Sequence, residues 1–494
     1  MKSLKWDKER LYQLVQEKLG DHLFLVISNR EPYIHTMSGQ DIVYRRPVSG
    51  LTEALDPVMR ASKGIWIAHG SGDADQKAVD TNSRVAVPPS KPEYTLRRVW
   101  LTNKEIAGFY LGFANEALWP LCHVTFTPPT FRESDWNTYK QVNQTFAEVV
   151  LQEVADRKAV VLIQDYHFAL LSHLIKERKP ELTVGQFWHI PWPNHEIFRT
   201  CPWQEEILEG LLGNDLLGFH TQSYCNNLLE TMEHNLGAMV DRERSIITYR
   251  GKTTVVQPFP ISVDFDTLSQ DAASKKVEKE MKNLCHEFNL MGKYIGIGID
   301  RIDYSKGILE RLQAIDRFLA DAPSYQGKIV FIQAGMPNRT QIESYRNIKQ
   351  RTDDLARNIN EKYGSDSWQP LIMMTKQLTT ITLAALYRLA HFCVVSSLHD
   401  GMNLVAKEFV SSRIDGDGVL ILSRFTGAVD EMPEALLINP YATHEFAKKI
   451  KEAVEMPKAE RQWRMKAMRE TIAINNIYRW GATTVSNLIS ITEA

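Results

Sequence analysis

Short apolar runs, each long enough for one buried strand, recur along this chain between segments with helical periodicity. In one helical segment Phe446, Ile450 and Val454 fall on a single face, as in an amphipathic helix. The apolar runs span residues 23–27, 65–68, 160–163, 184–188, 216–219, 253–256, 294–299, 328–333, 371–374, 392–396 and 419–422. Strands that alternate with helices form parallel sheets with helices on both faces. The pattern therefore predicts an α/β fold.

A domain boundary is predicted near residue 260. The 494 residues are several times the usual size of one domain, so at least two domains are expected. Pro258 and Pro260 interrupt a strand-like segment just before a highly charged helix, and the charged run 274–282 is the solvated face of that helix. Two α/β halves of similar size would bind ligands outside the carboxyl ends of their strands.

Composition and charge exclude several classes of partner. The 58 basic and 60 acidic side chains give a net charge of −2, which does not favour nucleic acid or an anionic membrane. The five cysteines show no C-x-x-C spacing, which fits a reducing compartment. The apolar runs are far shorter than the roughly 20 residues that cross a bilayer, and the charged N-terminus lacks a secretory signal. We expect a cytoplasmic protein, and the sequence leaves a homo-oligomer open.

Two cations follow the apolar run 294–299. The segment from Gly296 to Gly307 ends that strand and then presents Arg301 and Lys306. A guanidinium fork and a compact ammonium suit a diphosphate that must be held and then stabilised as it leaves. From spacing alone, a surface turn with local Arg–Asp pairing is an equal alternative.

A polar, glycine-containing loop follows the run 392–396 and leads into a helix. Asp400 lies in this loop and Glu408 lies within the helix. Backbone N–H groups at such a helix start can bind an anion, and a carboxylate one or two turns further can accept ribose hydroxyls. The alternative is an ordinary helix start, with Asp400 as its N-cap.

Two strand ends in the first half carry ionisable residues. Asp165 follows the run 160–163, and His189 follows the run 184–188. Because parallel strands end at the same edge of a sheet, we expect both side chains to face one crevice. Either residue alone is more often structural than catalytic, but their adjacency favours a catalytic role.

The sequence gives no signal for a dinucleotide cofactor or a metal ion. After Gly296 and Gly298, Arg301 stands where a G-x-G-x-x-G motif needs its third glycine. The D-x-D triplets at 73–75 and 264–266 lack clustered histidine or cysteine, and no other carboxylate–histidine cluster is evident. We therefore expect no cofactor and no metal site.

A series of motifs extends over nearly the whole chain. They are Ser28-Asn-Arg30, Ala117-Leu-Trp-Pro120, Asp165-Tyr-His167, His189-Ile-Pro191, Arg301-Ile-Asp-Tyr-Ser-Lys-Gly307 and Asp400-Gly-Met-Asn-Leu-Val-Ala-Lys-Glu408. In this order they resemble the trehalose-6-phosphate synthases and their relatives, retaining glycosyltransferases of the GT-B architecture. The resemblance implies two doubly wound Rossmann-like domains whose parallel sheets face a central cleft. Residues 1–262 would bind the acceptor and residues 263–476 the nucleotide sugar, with a C-terminal helix 477–494 packing back on the first domain.

The resemblance also implies an activity and its residues. Glucose would pass from a nucleotide-diphosphate glucose such as UDP-glucose to glucose 6-phosphate, giving trehalose 6-phosphate with retention and without a metal. Asp165, His189, Arg301 and Lys306 would be the catalytic residues. The donor-binding residues would be Gly50, His189, Arg301, Lys306, Asp400, Gly401, Met402, Asn403, Leu404, Val405 and Glu408. The acceptor-binding residues would be Arg30, Trp66, Tyr110, Trp119, Asp165 and Arg339.

Departures from the family pattern leave the acceptor open. The family's glycine-glycine-leucine loop is Ser49-Gly50-Leu51 here, and Gln164 replaces the histidine usual before Asp165. The segment 31–47 is longer than in the family, and Arg-Glu-Pro-Tyr at 30–33 resembles the glucosylglycerol-phosphate synthases, whose acceptor is glycerol 3-phosphate. The sequence does not fix the nucleotide base either. Two other functions are disfavoured. A non-catalytic sugar-phosphate sensor would be favoured if the diphosphate cations were lost, and here Arg301 and Lys306 are both present. A phosphorylase would need a separate lysine to bind its cofactor, and no such lysine stands out.

Overall fold

A computed structural model of the chain describes residues 5–46, 50–376 and 378–492. The chain divides into two compact units. Unit 1 comprises residues 1–261 and 477–494, and unit 2 comprises residues 262–476. No helix among the described residues is both long and apolar enough to span a membrane.

Unit 1 is built on a ten-stranded sheet and a separate hairpin. The strands are β1 (Leu23–Ser28), β2 (Ile34–Ser38), β3 (Asp41–Arg45), β4 (Ile65–His69), β5 (Arg84–Val87), β6 (Tyr94–Val99), β7 (Ala159–Gln164), β8 (Thr183–Phe187), β9 (Leu216–Phe219), β10 (Met239–Asp241), β11 (Ile246–Tyr249) and β12 (Lys252–Pro258). The large sheet has the order β10-β11-β12-β9-β8-β7-β1-β4-β6-β5. Its strands from β12 to β6 are parallel, and β5, β10 and β11 add antiparallel edges.

Helices cover this sheet. They are α1 (Lys8–Leu19), α2 (Gly50–Ser62), α3 (Asp75–Ala78), α4 (Asn103–Glu105), α5 (Trp119–His123), α6 (Glu133–Val154), α7 (Leu171–Arg178), α8 (His195–Phe198), α9 (Gln204–Leu211) and α10 (Gln222–Leu236). A π-helical segment, Ile106–Leu118, joins α4 to α5. Tyr110 and Trp119 therefore lie on one continuous helical stretch.

Unit 2 contains a six-stranded, fully parallel sheet. Its strands are β13 (Tyr294–Ile299), β14 (Ile329–Ala334), β15 (Leu371–Met374), β16 (Phe392–Val395), β17 (Val419–Ser423) and β18 (Leu436–Ile438). Its helices are α11 (Phe265–Ala272), α12 (Lys275–Glu287), α13 (Ile308–Asp321), α14 (Glu343–Tyr363), α15 (Thr380–Leu389), α16 (Leu404–Ser412), α17 (Thr443–Glu455) and α18 (Lys458–Ile474). The strand order β15-β14-β13-β16-β17-β18 is that of the dinucleotide-binding doubly wound sheet.

The last helix, α19 (Ile477–Thr492), belongs to unit 1. It packs against α1, α2 and β8. The Trp480 ring meets the Phe187 ring edge-on with 5.4 Å between centroids. The chain thus leaves unit 1 after residue 261 and returns to it for its final helix.

The predicted α/β class with doubly wound parallel sheets is confirmed. Every apolar run that was predicted as a strand forms one of the parallel strands of the two large sheets. The long segment 31–47 contains the antiparallel hairpin β2–β3, in which Ser38 pairs with Asp41 across a turn that uses Gly39 at φ +63°. Positive φ suits glycine because other residues pay a steric cost there.

Candidate active site

The predicted donor residues of unit 2 lie at the point where the strand order of its sheet reverses. Arg301 and Lys306 follow β13, and the loop with Asp400 follows β16. These two strands are neighbours, although the connections that leave them run in opposite directions along the sheet. Open α/β sheets bind ligands outside the carboxyl ends of the strands at such a switch point. The fold therefore brings both sequence motifs to one place in unit 2.

Lys306 and Asp400 form an ion pair across this switch point. Lys306 Nζ lies 2.5 Å from Asp400 Oδ2, and both side chains are almost buried. Ser397 Oγ and Asn403 Nδ2 donate to the same carboxylate oxygen at 3.0 and 3.1 Å. A bound nucleotide sugar would interact with each partner of this ion pair separately. Its diphosphate would accept from the Lys306 ammonium, and its hydroxyls would donate to the Asp400 carboxylate.

Asp400 does not cap α16. The N-cap is Asn403, which has φ +82° and accepts a hydrogen bond from the Ala406 N–H. The Asp400 backbone is instead fastened to a neighbouring loop, since its N–H donates to Phe425 O at 3.0 Å and its C=O accepts from Gly427 N at 3.2 Å. The ordinary N-cap interpretation of Asp400 is therefore wrong, and its carboxylate faces Lys306.

The other predicted donor residues lie in this loop and the first turns of α16. Gly401, Met402 and Asn403 are buried, and Leu404 and Val405 open the helix. Glu408 is half-buried and accepts a hydrogen bond from the Tyr387 hydroxyl at 2.8 Å. Burial raises the pKa of Tyr387 well above its usual value, and the Glu408 carboxylate raises it further, so this phenol stays a donor. The orientation of the Glu408 carboxylate is thus held by a buried phenol.

A buried arginine supports the loop that carries Arg301 and Lys306. The Arg311 guanidinium, 0% exposed, donates to Asp300 Oδ2 at 2.6 Å, to Gln333 Oε1 at 2.7 Å and to Ser396 Oγ at 3.0 Å. It thereby joins the ends of β13, β14 and β16. Burial raises the pKa of Asp300, and the charge of Arg311 opposes that rise. This network was not predicted, because nothing in the sequence marks Arg311 as buried.

Gly307 closes the same loop against the strand end of β16. It has φ +61°, and a Cβ at this position would lie 2.0 Å from Ser396 O. Both the backbone conformation and the contact therefore require glycine.

Arg339, predicted as an acceptor residue, lies beside the donor loop within unit 2. Its Nη1 donates to the Tyr345 hydroxyl at 2.6 Å and lies 3.8 Å from Asp303 Oδ2. Asp303 is fully buried, and its Oδ1 accepts from the N–H and the hydroxyl of Ser305. Burial alone would raise the pKa of Asp303, but Arg339, Arg301 and Lys306 hold it below its usual value. One carboxylate therefore stabilises three of the predicted cations.

In unit 1 the predicted residues also gather where the strand order reverses. Arg30 follows β1, Asp165 follows β7, and His189 follows β8, the next strand of the sheet. Asp165 has φ +75°, and its Oδ1 accepts from the N–H groups of Tyr166 and His189 at 3.0 and 3.2 Å. A left-handed conformation is strained for aspartate, and such strain is typical of functional sites. The expected proximity of Asp165 and His189 is present in the structure.

His189 is held as a neutral ring. Its Nε2 donates to Gln164 Oε1 at 2.8 Å, so Nε2 carries the proton. Burial lowers the pKa of His189 well below its usual value, and His220 and His167 lower it further. Gln164, which departs from the family pattern, thus orients the imidazole.

The remaining predicted residues of unit 1 have different environments. Arg30 is exposed, and Tyr110 is half-buried and stacks on His167 with 5.7 Å between ring centroids. Trp119 is 6% exposed and stacks on His123 at 4.0 Å. Gly50 is the first residue of α2, whereas Ser49 lies outside the described residues.

Trp66 is buried beneath the segment that carries Arg30. It is 0% exposed, and its indole N–H donates to Ser28 Oγ at 2.7 Å. Trp66 thus supports Ser28 at the end of β1, and its contact with an acceptor stays a prediction.

Two residues of the Arg-Glu-Pro-Tyr segment point into unit 1. Glu31 is 2% exposed, pairs with the buried Arg98 and accepts from the N–H and hydroxyl of Ser71 at 2.8 Å. The Tyr33 hydroxyl accepts from Arg60 Nη2 at 3.1 Å. Both residues thus anchor the chain after β1, and this part of the motif has a structural explanation that does not involve the acceptor.

Comparisons with known proteins place the chain in one family. Residues 22–490 match the sequence model of glycosyltransferase family 20. The chain is 36% identical over 482 residues to the bifunctional trehalose-6-phosphate synthase/phosphatase of Thermoproteus tenax, a match that covers 95% of this chain and 64% of that protein. It is 32% identical over 480 residues to the UDP-forming alpha,alpha-trehalose-phosphate synthase 2 of Aspergillus fumigatus, with 96% and 98% covered.

The fold agrees with that of a solved relative. An alpha,alpha-trehalose-phosphate synthase (UDP-forming) from Burkholderia xenovorans, in complex with glucose-6-phosphate, superimposes with a TM-score of 0.84 at 28% identity. The match covers 94% of this chain and 99% of that one. Since the family match extends over nearly all of the sequence, this chain belongs to glycosyltransferase family 20.

Proposed function

We propose that this chain transfers glucose from UDP-glucose to glucose 6-phosphate and forms trehalose 6-phosphate. The observation that carries the proposal is the Lys306–Asp400 pair at the switch point of the unit 2 sheet, with Arg301 after the same strand as Lys306. A sheet of this topology binds nucleotides at that point, and a diphosphate needs cations there. The UDP donor is supported by the names of the Aspergillus and Burkholderia relatives.

In the proposed mechanism Arg301 and Lys306 stabilise the negative charge that develops on the leaving diphosphate. Asp400 binds hydroxyls of the transferred glucose, and Glu408 binds the ribose. The backbone amides from Gly401 to Val405 contact the sugar and the phosphate. The departing phosphate accepts the proton of the entering hydroxyl on the same face, so the anomeric configuration is retained.

His189 and Asp165 are proposed to orient the reacting groups. His189 is a poor candidate for a general base, because its pKa is lowered and its Nε2 already carries a proton. Its role would be to orient the donor glucose, with the unprotonated Nδ1 accepting a hydrogen bond from a sugar hydroxyl. Asp165, coupled to the His189 backbone, would contact the acceptor side.

Glucose 6-phosphate is the proposed acceptor. Arg30, Tyr110 and Trp119 are the proposed acceptor residues of unit 1, and Arg339 is that of unit 2. The Burkholderia relative with glucose-6-phosphate bound supports this choice. Glycerol 3-phosphate is the alternative, and its support is weaker because Glu31 and Tyr33 of the Arg-Glu-Pro-Tyr segment are turned inward.

The proposal includes a cytoplasmic location. All five cysteines are free thiols, and the structure describes each of them. Free thiols are usual in a reducing compartment, whereas secreted proteins tend to pair them.

A comparison of acceptors tests the proposed function. UDP-glucose is held constant, and kcat/KM is measured for glucose 6-phosphate, glycerol 3-phosphate and free glucose. We expect glucose 6-phosphate to have the highest value and free glucose to react poorly, because free glucose lacks the phosphate that the proposed acceptor arginines would bind. Proton NMR of the early product should show an α linkage. A higher kcat/KM for glycerol 3-phosphate would replace the acceptor, and a β linkage would overturn the retaining mechanism.

A further inference from the structure

A carboxylate–histidine cluster lies outside the residues assigned to the reaction. His195, Glu230 and His234 bring one ligand-type atom each within 4.8 Å of one another. Glu230 and His234 are one helical turn apart on α10, and His195 begins α8. No carboxylate–histidine cluster of this kind was predicted from the sequence. The spacing within α10 is visible in the sequence, but only the fold supplies the third residue.

The cluster is compact and open to solvent. His195 Nε2 lies 4.0 Å from Glu230 Oε1 and 3.8 Å from Glu196 Oε1. The rings of His195 and His234 stack with 4.4 Å between centroids and 19° between planes. The His195 side chain is 20% exposed and that of Glu230 is 41% exposed. An ion could therefore reach these atoms from solution.

The backbone beneath the cluster is fixed by hydrogen bonds between the α8 segment and α10. Trp192 Nε1 donates to Thr231 Oγ1 at 3.0 Å, and Asn227 Nδ2 donates to Trp192 O at 2.9 Å. At the other end Asn235 Nδ2 lies 3.5 Å from His195 O. The two helices are thus already docked, and a ligand would need only side-chain rotation.

We propose that His195, Glu230 and His234 form a binding site for one divalent transition-metal ion. Two imidazoles and a carboxylate suit zinc, whereas magnesium and calcium prefer oxygen ligands alone. Bond lengths of about 2.0–2.1 Å to a tetrahedral ion place ligand atoms roughly 3.3 Å apart. Rotation of the Glu230 and His234 side chains would have to shorten the present separations, which reach 4.8 Å, by at most about 1.5 Å. Glu196 or water completes the coordination.

Zinc binding to the full-length, tag-free protein tests this site directly. The protein is stripped with a chelator and dialysed, and Zn²⁺ is then titrated in competition with a chromogenic chelator. We expect one tight equivalent for the wild type and no comparable binding of Mg²⁺. His195→Ala, Glu230→Gln and His234→Ala should each weaken that equivalent by at least about 10–100-fold, since even indirect supports of metal ligands have effects of this size.

His173→Ala provides a matched control. His173 and Glu177 form another surface pair one turn apart, with Nε2 and Oε1 separated by 3.2 Å, on α7. No third ligand joins that pair among the described residues. His173→Ala should therefore keep the zinc affinity of the wild type. Equal losses in the control and in the three cluster variants would overturn the proposal, as would cluster variants that bind zinc within threefold of the wild type.

Cobalt substitution separates this site from the free thiols. Co²⁺ held by nitrogen and oxygen ligands gives weak visible bands, whereas a thiolate ligand adds an intense charge-transfer band. We expect only the weak bands, and we expect them to vanish in His234→Ala. A thiolate band that persists in His234→Ala would assign the metal to a cysteine such as the half-buried Cys285 and would refute the cluster. These readouts do not depend on glycosyl transfer, so they stand apart from the proposed function.

Discussion

Lys306→Ala should nearly abolish turnover. If Lys306 stabilises the leaving diphosphate, its removal takes a preorganised charge from the transition state. Such groups are typically worth about 10²–10³-fold in kcat. The same substitution also breaks the ion pair with Asp400, so an activity assay alone does not separate the lost charge from a folding defect.

The structure bounds the cost of that broken pair. Removing one partner of a fully buried pair costs about 3–5 kcal/mol. The Asp400 side chain is 13% exposed, and it keeps its hydrogen bonds from Ser397 and Asn403. We therefore expect the variant to lose about 1–3 kcal/mol of unfolding free energy, which leaves it folded at 25 °C.

Lys176→Ala is the matched control for this loss. Lys176 Nζ lies 2.8 Å from Asp215 Oδ2 in unit 1, with side chains 14% and 24% exposed. Asp215 likewise keeps a hydrogen bond, from the Val184 N–H at 2.8 Å. The two pairs have similar burial and geometry, so both variants should lose similar stability. Only Lys306→Ala should lose turnover.

The assay combines kcat at saturating UDP-glucose and glucose 6-phosphate with urea unfolding followed by circular dichroism. The expected result is similar urea midpoints for Lys306→Ala and Lys176→Ala, with kcat reduced about 10²–10³-fold in the first and nearly unchanged in the second. The reasoning is refuted if folded Lys306→Ala keeps kcat within tenfold of the wild type. It is equally refuted if Lys176→Ala loses as much turnover.

Three further outcomes are expected. Gly307→Ala should lose more stability than Gly327→Ala in thermal unfolding: both have positive φ, which costs roughly 1–2 kcal/mol, but only Gly307 has a carbonyl in the way of a Cβ. Arg311→Met should reduce the urea unfolding free energy by about 3–5 kcal/mol, because Asp300 becomes an uncompensated buried charge, and near-wild-type stability would contradict this. Because the pKa of His189 is lowered in the folded protein, this side chain takes up a proton at higher pH in the unfolded chain than in the folded one. The unfolding free energy should therefore fall as the pH drops below about 6.5. His189→Gln should flatten that slope between about pH 7 and pH 5.

The parallel strands were predictable because each is buried on both faces. β7 and β14 are buried at every position, and their sequences are apolar apart from Gln164 at the end of β7 and Gln333 near the end of β14. The hairpin β2–β3 gives no such signal: all five residues of β3 are exposed, and its pairing depends on the turn at Gly39. Short edge strands such as β10 were missed for the same reason, since little of their surface is buried.

The position of the candidate site was predictable, but its internal contacts were not. Strand ends in a parallel sheet meet at one edge, so motifs after β13 and β16 were expected to converge. Which partners they choose depends on tertiary geometry: Lys306 pairs with a carboxylate 94 positions away, and Asn403 takes the N-cap that a local interpretation gave to Asp400. The acceptor contact of Trp66 is predicted from resemblance alone, and the burial of this side chain follows from its place on β4, an interior strand.

The two units support their candidate cations by the same physical means. In unit 1 the exposed Arg30 is followed by Glu31, which pairs with the fully buried Arg98. In unit 2, Arg301 is preceded by Asp300, which pairs with the fully buried Arg311.

Glu31 and Asp300 are buried carboxylates that lie beside the candidate cations. Either one would destabilise its unit if it were unpaired, so each carboxylate needs a cation of its own. An arginine serves because its fork can bond several acceptors at once. Arg98 also donates to Tyr33 O at 2.9 Å, and Arg311 also bonds Gln333 and Ser396. Arg98 thus holds the backbone after β1 and Arg311 joins side chains at three strand ends, while each arginine neutralises its own carboxylate. Arg30 and Arg301 then do not have to neutralise the neighbouring carboxylates of Glu31 and Asp300. A phosphate-binding arginine requires this, because a carboxylate that it had to neutralise would compete with the phosphate.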